Sequence, residues 1–314
     1  TTGLYEVKEG DTLNIGRHQL SFYMAPMVHW PEVMVTYDST DKLLFSADAF
    51  GTYGTLDGGV IDEEMNVDHY WEEMIRYYSN IVGKYGNPVQ RALQKLSVLG
   101  IETICSTHGP VWRKYAKKAV EIYDRLRRYE GEVRFIRALH YALMIDLYGD
   151  IQYLDHVPTQ EEAYSIARTP IVQVKDLIFE DYDYAISVLP VSYESSEDQG
   201  RATKIAAYAF KGKLELFWAS WKKNGRPEVD NFQQSESEAN EYYEKAIGNF
   251  KEVMKPAYNL QLFKDGAPGE YVNPNYLQLF TLENEKCSEV IFSLQYGGPN
   301  IGQGEEFVKI FGNR

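Results

Sequence analysis

Cysteine is scarce in this chain, and the two that occur, Cys105 and Cys287, lie far apart. Their spacing excludes a C-x-x-C redox pair or a zinc ribbon, and one cysteine in each half gives no support for a disulfide. Two inert thiols are the expectation. Long apolar runs are missing as well, none approaching the roughly 18 residues of a membrane span. The start, Thr1-Thr2-Gly3-Leu4-Tyr5-Glu6, has no charged leader followed by an apolar core, so no signal peptide is expected in it. Basic charge is in deficit: 32 Lys and Arg against 46 Asp and Glu give a net charge of −14 and a pI near 5.0. Phosphate binding needs clustered cations, so a nucleic-acid or anionic-membrane surface is not expected. The basic run from Arg113 to Arg128 reads as a solvated helix face with its cations toward one helix end.

Aromatic side chains are plentiful, with 25 Tyr against 14 Phe, and 314 residues suffice for two domains with cores of their own. Up to residue 47 the pattern is one of short strands. Residues 4–8, 12–15, 18–25, 32–37 and 42–47 carry alternating or β-branched and aromatic residues, with turns at Gly10-Asp11, Gly16-Arg17 and Ser39-Thr40-Asp41. A glycine-rich loop from Gly51 to Gly59 leads into helical spacing up to about Tyr85. A second helix follows Asn87-Pro88 and stops at Gly100, Ile101 to Cys105 is a buried strand, and a helix from Pro110 to Tyr129 stops at Gly131. Strands, helices, strand, helix is the order of part of a layered α/β domain. Beyond Glu132 long amphipathic helices take over: Val133 to Tyr148, Pro170 to Leu189, Ala202 to Trp221 and Glu236 to Met254. Val290 to Leu294 reads as a late strand.

Chemistry in the first part gathers at strand ends. His29 precedes Trp30-Pro31 at a strand edge, Asp48 follows the strand Leu43 to Ala47, and His108 follows the strand Ile101 to Cys105. Two imidazoles and a carboxylate, whose two oxygens can bridge a pair of ions, suit iron, zinc or manganese. The words around them, Ala25-Pro26-Met27-Val28-His29-Trp30-Pro31, Leu44-Phe45-Ser46-Ala47-Asp48-Ala49-Phe50-Gly51 and Ser106-Thr107-His108-Gly109-Pro110, closely resemble the flavodiiron proteins of the metallo-β-lactamase superfamily. The resemblance covers about residues 1–131. It implies part of an αββα sandwich in which His29 and His108 each bind one iron and Asp48 bridges them. It also implies dioxygen or nitric oxide as substrate, with flavin mononucleotide (FMN) as electron source in the parent family. That family's H-x-E-x-D-H motif and flavodoxin-like domain do not occur in this sequence, so an incomplete di-iron site and no catalytic residue are the expectation.

The second part carries no catalytic grouping. Phe135, Leu139, Leu143 and Leu147 form a core stripe, Trp218 and Trp221 read as packing residues, and Asp150, Asp155, His156, Asp181 and Asp183 read as a solvated surface. Arg134-Phe135-Ile136-Arg137-Ala138-Leu139-His140-Tyr141 leads on to Leu147-Tyr148-Gly149-Asp150-Ile151. With Asp181 to Pro190, Gly200-Arg201-Ala202-Thr203-Lys204 and Glu289 to Leu294, this order resembles the SusD/RagB family over about residues 132–312. The resemblance implies a helical fold like tetratricopeptide (TPR) stacking and lipid-anchored life on the outer membrane of Bacteroidota. It further implies glycan or peptide capture by aromatic stacking and hand-over to a TonB-dependent β-barrel transporter.

The fold expected is thus α/β plus α: a partial metallo-β-lactamase-like domain at 1–131 and a partial SusD-like helical domain at 132–314. One parent works in the cytoplasm and the other outside the cell, so the simplest expectation is a chimera whose first part is not a working reductase and self-associates through an apolar sheet face. The alternatives are a SusD-like carbohydrate-binding protein without enzymatic activity, and a flavodiiron-type oxidoreductase whose remaining ligands come from another chain.

Overall fold

The computed structural model describes residues 6–293 apart from 196, 197, 199, 285 and 286. The chain divides into two compact units, Thr1–Val133 and Arg134–Arg314.

In the first unit the alternation of apolar residues builds one five-stranded sheet. Its strands, β1 (Thr12–Ile15), β2 (His18–Met24), β3 (Met34–Asp38), β4 (Leu43–Phe45) and β5 (Thr103–Cys105), lie in sequence order. β1 to β4 form an antiparallel meander and β5 joins β4 in parallel. Gly16, at φ +69°, opens the two-residue β1–β2 turn, where a positive φ is needed for the hairpin to follow the strand twist. A parallel pair needs a long crossover, and α1 (Asp68–Tyr77) and α2 (Gly86–Leu96) lie in it. One sheet face, with Val35, Tyr37, Leu44 and Ile104, packs with Met74, Val82, Val89, Trp112 and Tyr123 into a single core. Trp112 is fully buried, stacks on Trp71 at 4.5 Å and 20°, and donates its indole N–H to Phe50 O at 2.9 Å. The buried indole therefore leaves no polar group unpaired.

In the second unit the helices are α4 (Gln160–Ser165), α5 (Ile171–Val188), α6 (Lys204–Asn224), α7 (Glu236–Val253) and α8 (Asn275–Leu279). Side-chain caps fix several starts. Thr159 forms a capping box with Glu162, Thr203 accepts from Ala206 N, and Ser235 accepts from Glu238 N. Gly212 lets α6 approach α7, since a Cβ there would lie 3.0 Å from the Phe250 ring. The core centres on Phe135, Tyr182 and Trp218, all fully buried. Buried Asp181 accepts two hydrogen bonds from Arg137, each at 2.7 Å, and Arg226 donates to two helix-end carbonyls, Ile145 O at 3.0 Å and Asp146 O at 2.9 Å.

Several sequence expectations change. The two helices expected on either side of Gly131 are one helix, α3 (Ala116–Tyr148). A glycine costs a helix about 1 kcal/mol but stops it only where the chain turns left-handed or a proline follows, and neither happens at buried Gly131. Residues 6–8 of the strand expected at 4–8 are irregular, and the rest of it lies outside the described residues. Val290 to Ser293 is irregular as well, and Leu294 lies outside the described residues. Asp181 is not on a solvated surface: it is 2% exposed and ion-paired.

Candidate metal centre

The strand directions gather the predicted ligands. β2 and β4 are each antiparallel to β3, and β5 is parallel to β4, so β2, β4 and β5 all end at the same edge of the sheet. The loops leaving that edge carry His29, Asp48 and His108. Asp48 sits in a tight turn in which Ser46 Oγ donates to Ala49 O at 2.7 Å and Gly51 N donates to Asp48 O at 3.2 Å. Ala47 and Phe50, on either side, have positive φ values of 50° and 65°. Such backbone is rarely adopted without support. Here the Phe50 N–H donates to Tyr123 Oη, Phe50 O accepts from Trp112, and the Thr107 N–H donates to Ala47 O, so core and neighbouring loop hold the turn.

All three predicted ligands come together, and Asp48 is the hub. His29 Nε2 lies 3.2 Å from Asp48 Oδ2, and His108 Nε2 lies 3.9 Å from Asp48 Oδ1. Each carboxylate oxygen therefore faces its own imidazole. The His108 ring is fixed on its other side by Nδ1, 2.9 Å from Thr52 O, and edge-on against Tyr77 at 4.6 Å. Burial, reinforced by the Asp48 charge, pushes the Tyr77 phenol far above its ordinary range, so it stays protonated at physiological pH. Gly51 makes room for the imidazole: a Cβ there would fall 2.3 Å from His108 Cε1. Gly109, at φ +86°, leaves no space for a Cβ beside Thr52.

Three neighbours were not read as site residues from the sequence. Thr107 donates its hydroxyl to Asp48 Oδ1, Tyr77 walls the His108 ring, and Thr52 fixes it through a backbone carbonyl. Thr107 directly precedes His108, and that adjacency was the one hint available.

The arrangement suits two ion positions better than one. Among the described residues, His18, Asp38 and Asp41 are the group of three that brings its ligand atoms within 4.8 Å of one another; His29, Asp48 and His108 do not close on one point. A pair of ions bridged by Asp48 would receive one imidazole and one carboxylate oxygen each. Resident iron takes about four to six donors. The donor set therefore does not fit a resident di-iron centre, and no catalytic step is derived through one.

The His18 group has a different chemistry. His18 Nδ1 lies 2.6 Å from Asp38 Oδ2, while Arg17 Nε donates to His18 Nε2 at 3.2 Å. Both ring nitrogens are thereby engaged. Burial would raise the Asp38 carboxyl, but the Thr40 N–H and the His18 ring outweigh it and hold the group below its ordinary value. The group is a hydrogen-bonded clamp between the start of β2 and the end of β3.

Comparisons with known proteins give relatives of both kinds. A nitric oxide reductase of Moorella thermoacetica is 32% identical over 134 residues, covering 42% of this chain and 33% of that protein. The anaerobic nitric oxide reductase flavorubredoxin of Shigella dysenteriae is 39% identical over 120 residues, covering 37% of this chain and 25% of that protein. The chain thus spans a third or less of the length of these curated relatives. Among solved structures, the rubredoxin oxygen:oxidoreductase of Desulfovibrio gigas has 32% identity and a TM-score of 0.36, covering 37% of this chain and 30% of that one. A SusD-like protein from Bacteroides fragilis has 27% identity and a TM-score of 0.44, covering 73% of this chain and 34% of that one. Both resemblances, to the flavodiiron proteins and to the SusD/RagB family, are thereby upheld. The family model described as SusD-like, starch-binding associating with outer membrane, matches residues 48–216, more than half of the sequence, and the chain belongs to that family.

Proposed function

We propose that this chain is a glycan-binding protein of the SusD-like class, joined at about residue 131 to a flavodiiron-type segment that does not work as a reductase. The family match carries the reading: it runs through residues 48–216, and its description names starch and the outer membrane. The donor count at Asp48 supports the second half, since two protein donors per ion leave iron to compete with water on poor terms. On this reading residues 1–131 are part of an αββα sandwich and residues 132–314 a TPR-like helical domain. His29, Asp48 and His108 are then a retained ligand set without catalytic duty. The protein works at the outer membrane and passes its ligand to a TonB-dependent transporter. None of its described helices is long and apolar enough to cross a membrane, so association would run through an anchor or a partner. Copies associate through the far sheet face, where Phe45 is 45% exposed.

A second reading has its own support. The division of the two Asp48 oxygens between two imidazoles is the disposition that a bridged metal pair requires. If another chain supplied the other ligands, the segment would reduce dioxygen or nitric oxide with electrons from FMN. One preparation tests both readings: metal analysis after gel filtration, gas consumption with a chemical reductant, and retardation on a starch affinity gel. Retardation with neither stoichiometric iron nor gas consumption is the expected result. Two iron atoms per chain with turnover, and no retardation, would overturn the first reading in favour of the second.

A further inference from the structure

The end of α3 and the segment after it form an open groove of about 500 Å³ within the second unit, lined by Tyr141, Met144, Tyr148, Asp150, Gln152 and Arg168 among others. Its construction follows from the local sequence. Tyr141, Met144 and Tyr148 fall at i, i+3 and i+7, on one face of α3. Gly149, at φ +69°, ends the helix, its N–H on Ile145 O at 3.1 Å. Asp150 is the next residue. Ile151 and Thr169 then exchange both backbone hydrogen bonds, at 3.3 and 2.7 Å, as an antiparallel pair. Gln152 and Arg168, each one step outward from that pair, are therefore set across from each other.

Some of these groups hold the groove together and others are left over. Tyr141 is structural: its hydroxyl accepts from Leu154 N at 2.8 Å and donates to Leu154 O at 3.2 Å, while its ring lies 4.6 Å from that of Tyr153. Asp150 Oδ1 accepts from Ile171 N at 2.7 Å, leaving Oδ2 without a partner among the described residues. Gln152 Nε2 donates to Ile166 O at 2.5 Å, leaving its carbonyl oxygen without one. The Arg168 guanidinium, with five donors, has no hydrogen bond or ion pair among the described residues. Tyr148 is 69% exposed, its ring available as a flat surface.

We infer that this groove is a binding subsite for a neutral oligosaccharide. A pyranose offers an apolar C–H face and a rim of hydroxyls, each of which both donates and accepts. An exposed tyrosine ring meets the first need. Two carboxylate or amide acceptors, held by Ile171 N and Ile166 O, and one guanidinium meet the second. The charges decide the class of sugar. Asp150 and Arg168 cancel, so the groove has no excess cation for a uronic acid chain, and burying either charge alone would be costly. Tyr148 supplies the platform, and Arg168, Gln152 and Asp150 bind hydroxyls at its rim.

This inference rests on the glycan-binding reading, and the experiment separates the two. The full chain and its Tyr148→Ala, Arg168→Ala and Tyr271→Ala variants are titrated calorimetrically with maltoheptaose, other neutral hexose and pentose oligosaccharides, and trigalacturonate. Tyr148, Arg168 and Tyr271 are all exposed, so the variants keep their fold, which circular dichroism checks. Fully exposed Tyr271 lies outside the groove and serves as the control. The expected result is binding of a neutral oligosaccharide that Tyr148→Ala and Arg168→Ala each weaken about tenfold and Tyr271→Ala leaves unchanged. Neutral binding that survives both groove substitutions would place the site elsewhere, overturning the inference while the glycan reading stands. A preference for trigalacturonate would overturn the neutral assignment. Failure to bind any of the sugars would sink both.

Discussion

Replacing Gly51 by alanine adds one methyl group, and the structure says where it must go. The new carbon would lie 2.3 Å from His108 Cε1 and 2.8 Å from each ring nitrogen. Carbon atoms in comfortable contact sit about 3.5 Å or more apart, so ring or loop must give by about 1.2 Å. The ring cannot yield cheaply, because Nδ1 is tied to Thr52 O and Tyr77 stands against it edge-on. The turn cannot yield cheaply either, since Phe50 is hydrogen-bonded on both sides to the core. Overpacking of this kind costs about 1–3 kcal/mol, and losing the Thr52 hydrogen bond adds about 1 kcal/mol, for a total of about 2–4 kcal/mol. A double-mutant cycle isolates the cause. Measured by urea denaturation, Gly51→Ala should destabilise the wild-type background by that amount and the His108→Ala background hardly at all, because the truncated side chain leaves room. Long-range ¹H–¹⁵N spectra of the imidazoles should show the His108 signals shifted in Gly51→Ala. A full stability loss persisting in the His108→Ala background would refute the packing described here.

Three more outcomes follow from buried groups in the second unit. Asp181→Ala strands Arg137 beside Arg134, and denaturant unfolding should show a loss of about 3 kcal/mol, at the low end for a broken buried pair because Arg137 keeps some exposure; an effect near zero would contradict the pairing. Glu215 is 2% exposed, and burial raises its carboxyl above the ordinary value against the opposing pull of the Asn249 amide and Lys211. A raised folded value means that its contribution is present below about pH 4.3, the unfolded value, and is lost as pH rises through the folded one. Glu215→Gln should therefore raise Tm at pH 7–8 and leave it unchanged near pH 4, and a pH-independent difference would count against the assignment. Trp218→Ala should cost about 3–5 kcal/mol, since the ring is fully buried, whereas a surface tryptophan would cost little.

What the sequence revealed depended on range. Strands β1 to β5 were legible because each needs only its own alternation of residues, and the meeting of His29, Asp48 and His108 follows once three strands are known to end at one edge. Gly131 misled because a glycine among strong helix formers reads as a stop in isolation, while the helix is held by packing that the local pattern does not express. Asp181 misled for a similar reason: its partner Arg137 is 44 residues away, on a different helix. The polar side of the Tyr148 groove depends on the pairing of Ile151 with Thr169, which no spacing rule anticipates. Trp218, by contrast, was readable as core because its neighbours in the helix were apolar.

The stacked pair Trp71 and Trp112 has an optical consequence. Two indoles 4.5 Å apart and 20° from parallel couple their electronic transitions, which produces a paired positive and negative band in the ultraviolet circular dichroism spectrum. Both rings belong to the first unit, whereas Trp218 and Trp221, 6.0 Å apart and 73° from parallel, form a second coupled pair in the other. The part of the signal that a Trp71→Phe variant lacks is thus a spectroscopic label on the sheet-bearing half. On heating, the disappearance of that difference signal would date the melting of this half, without any dye.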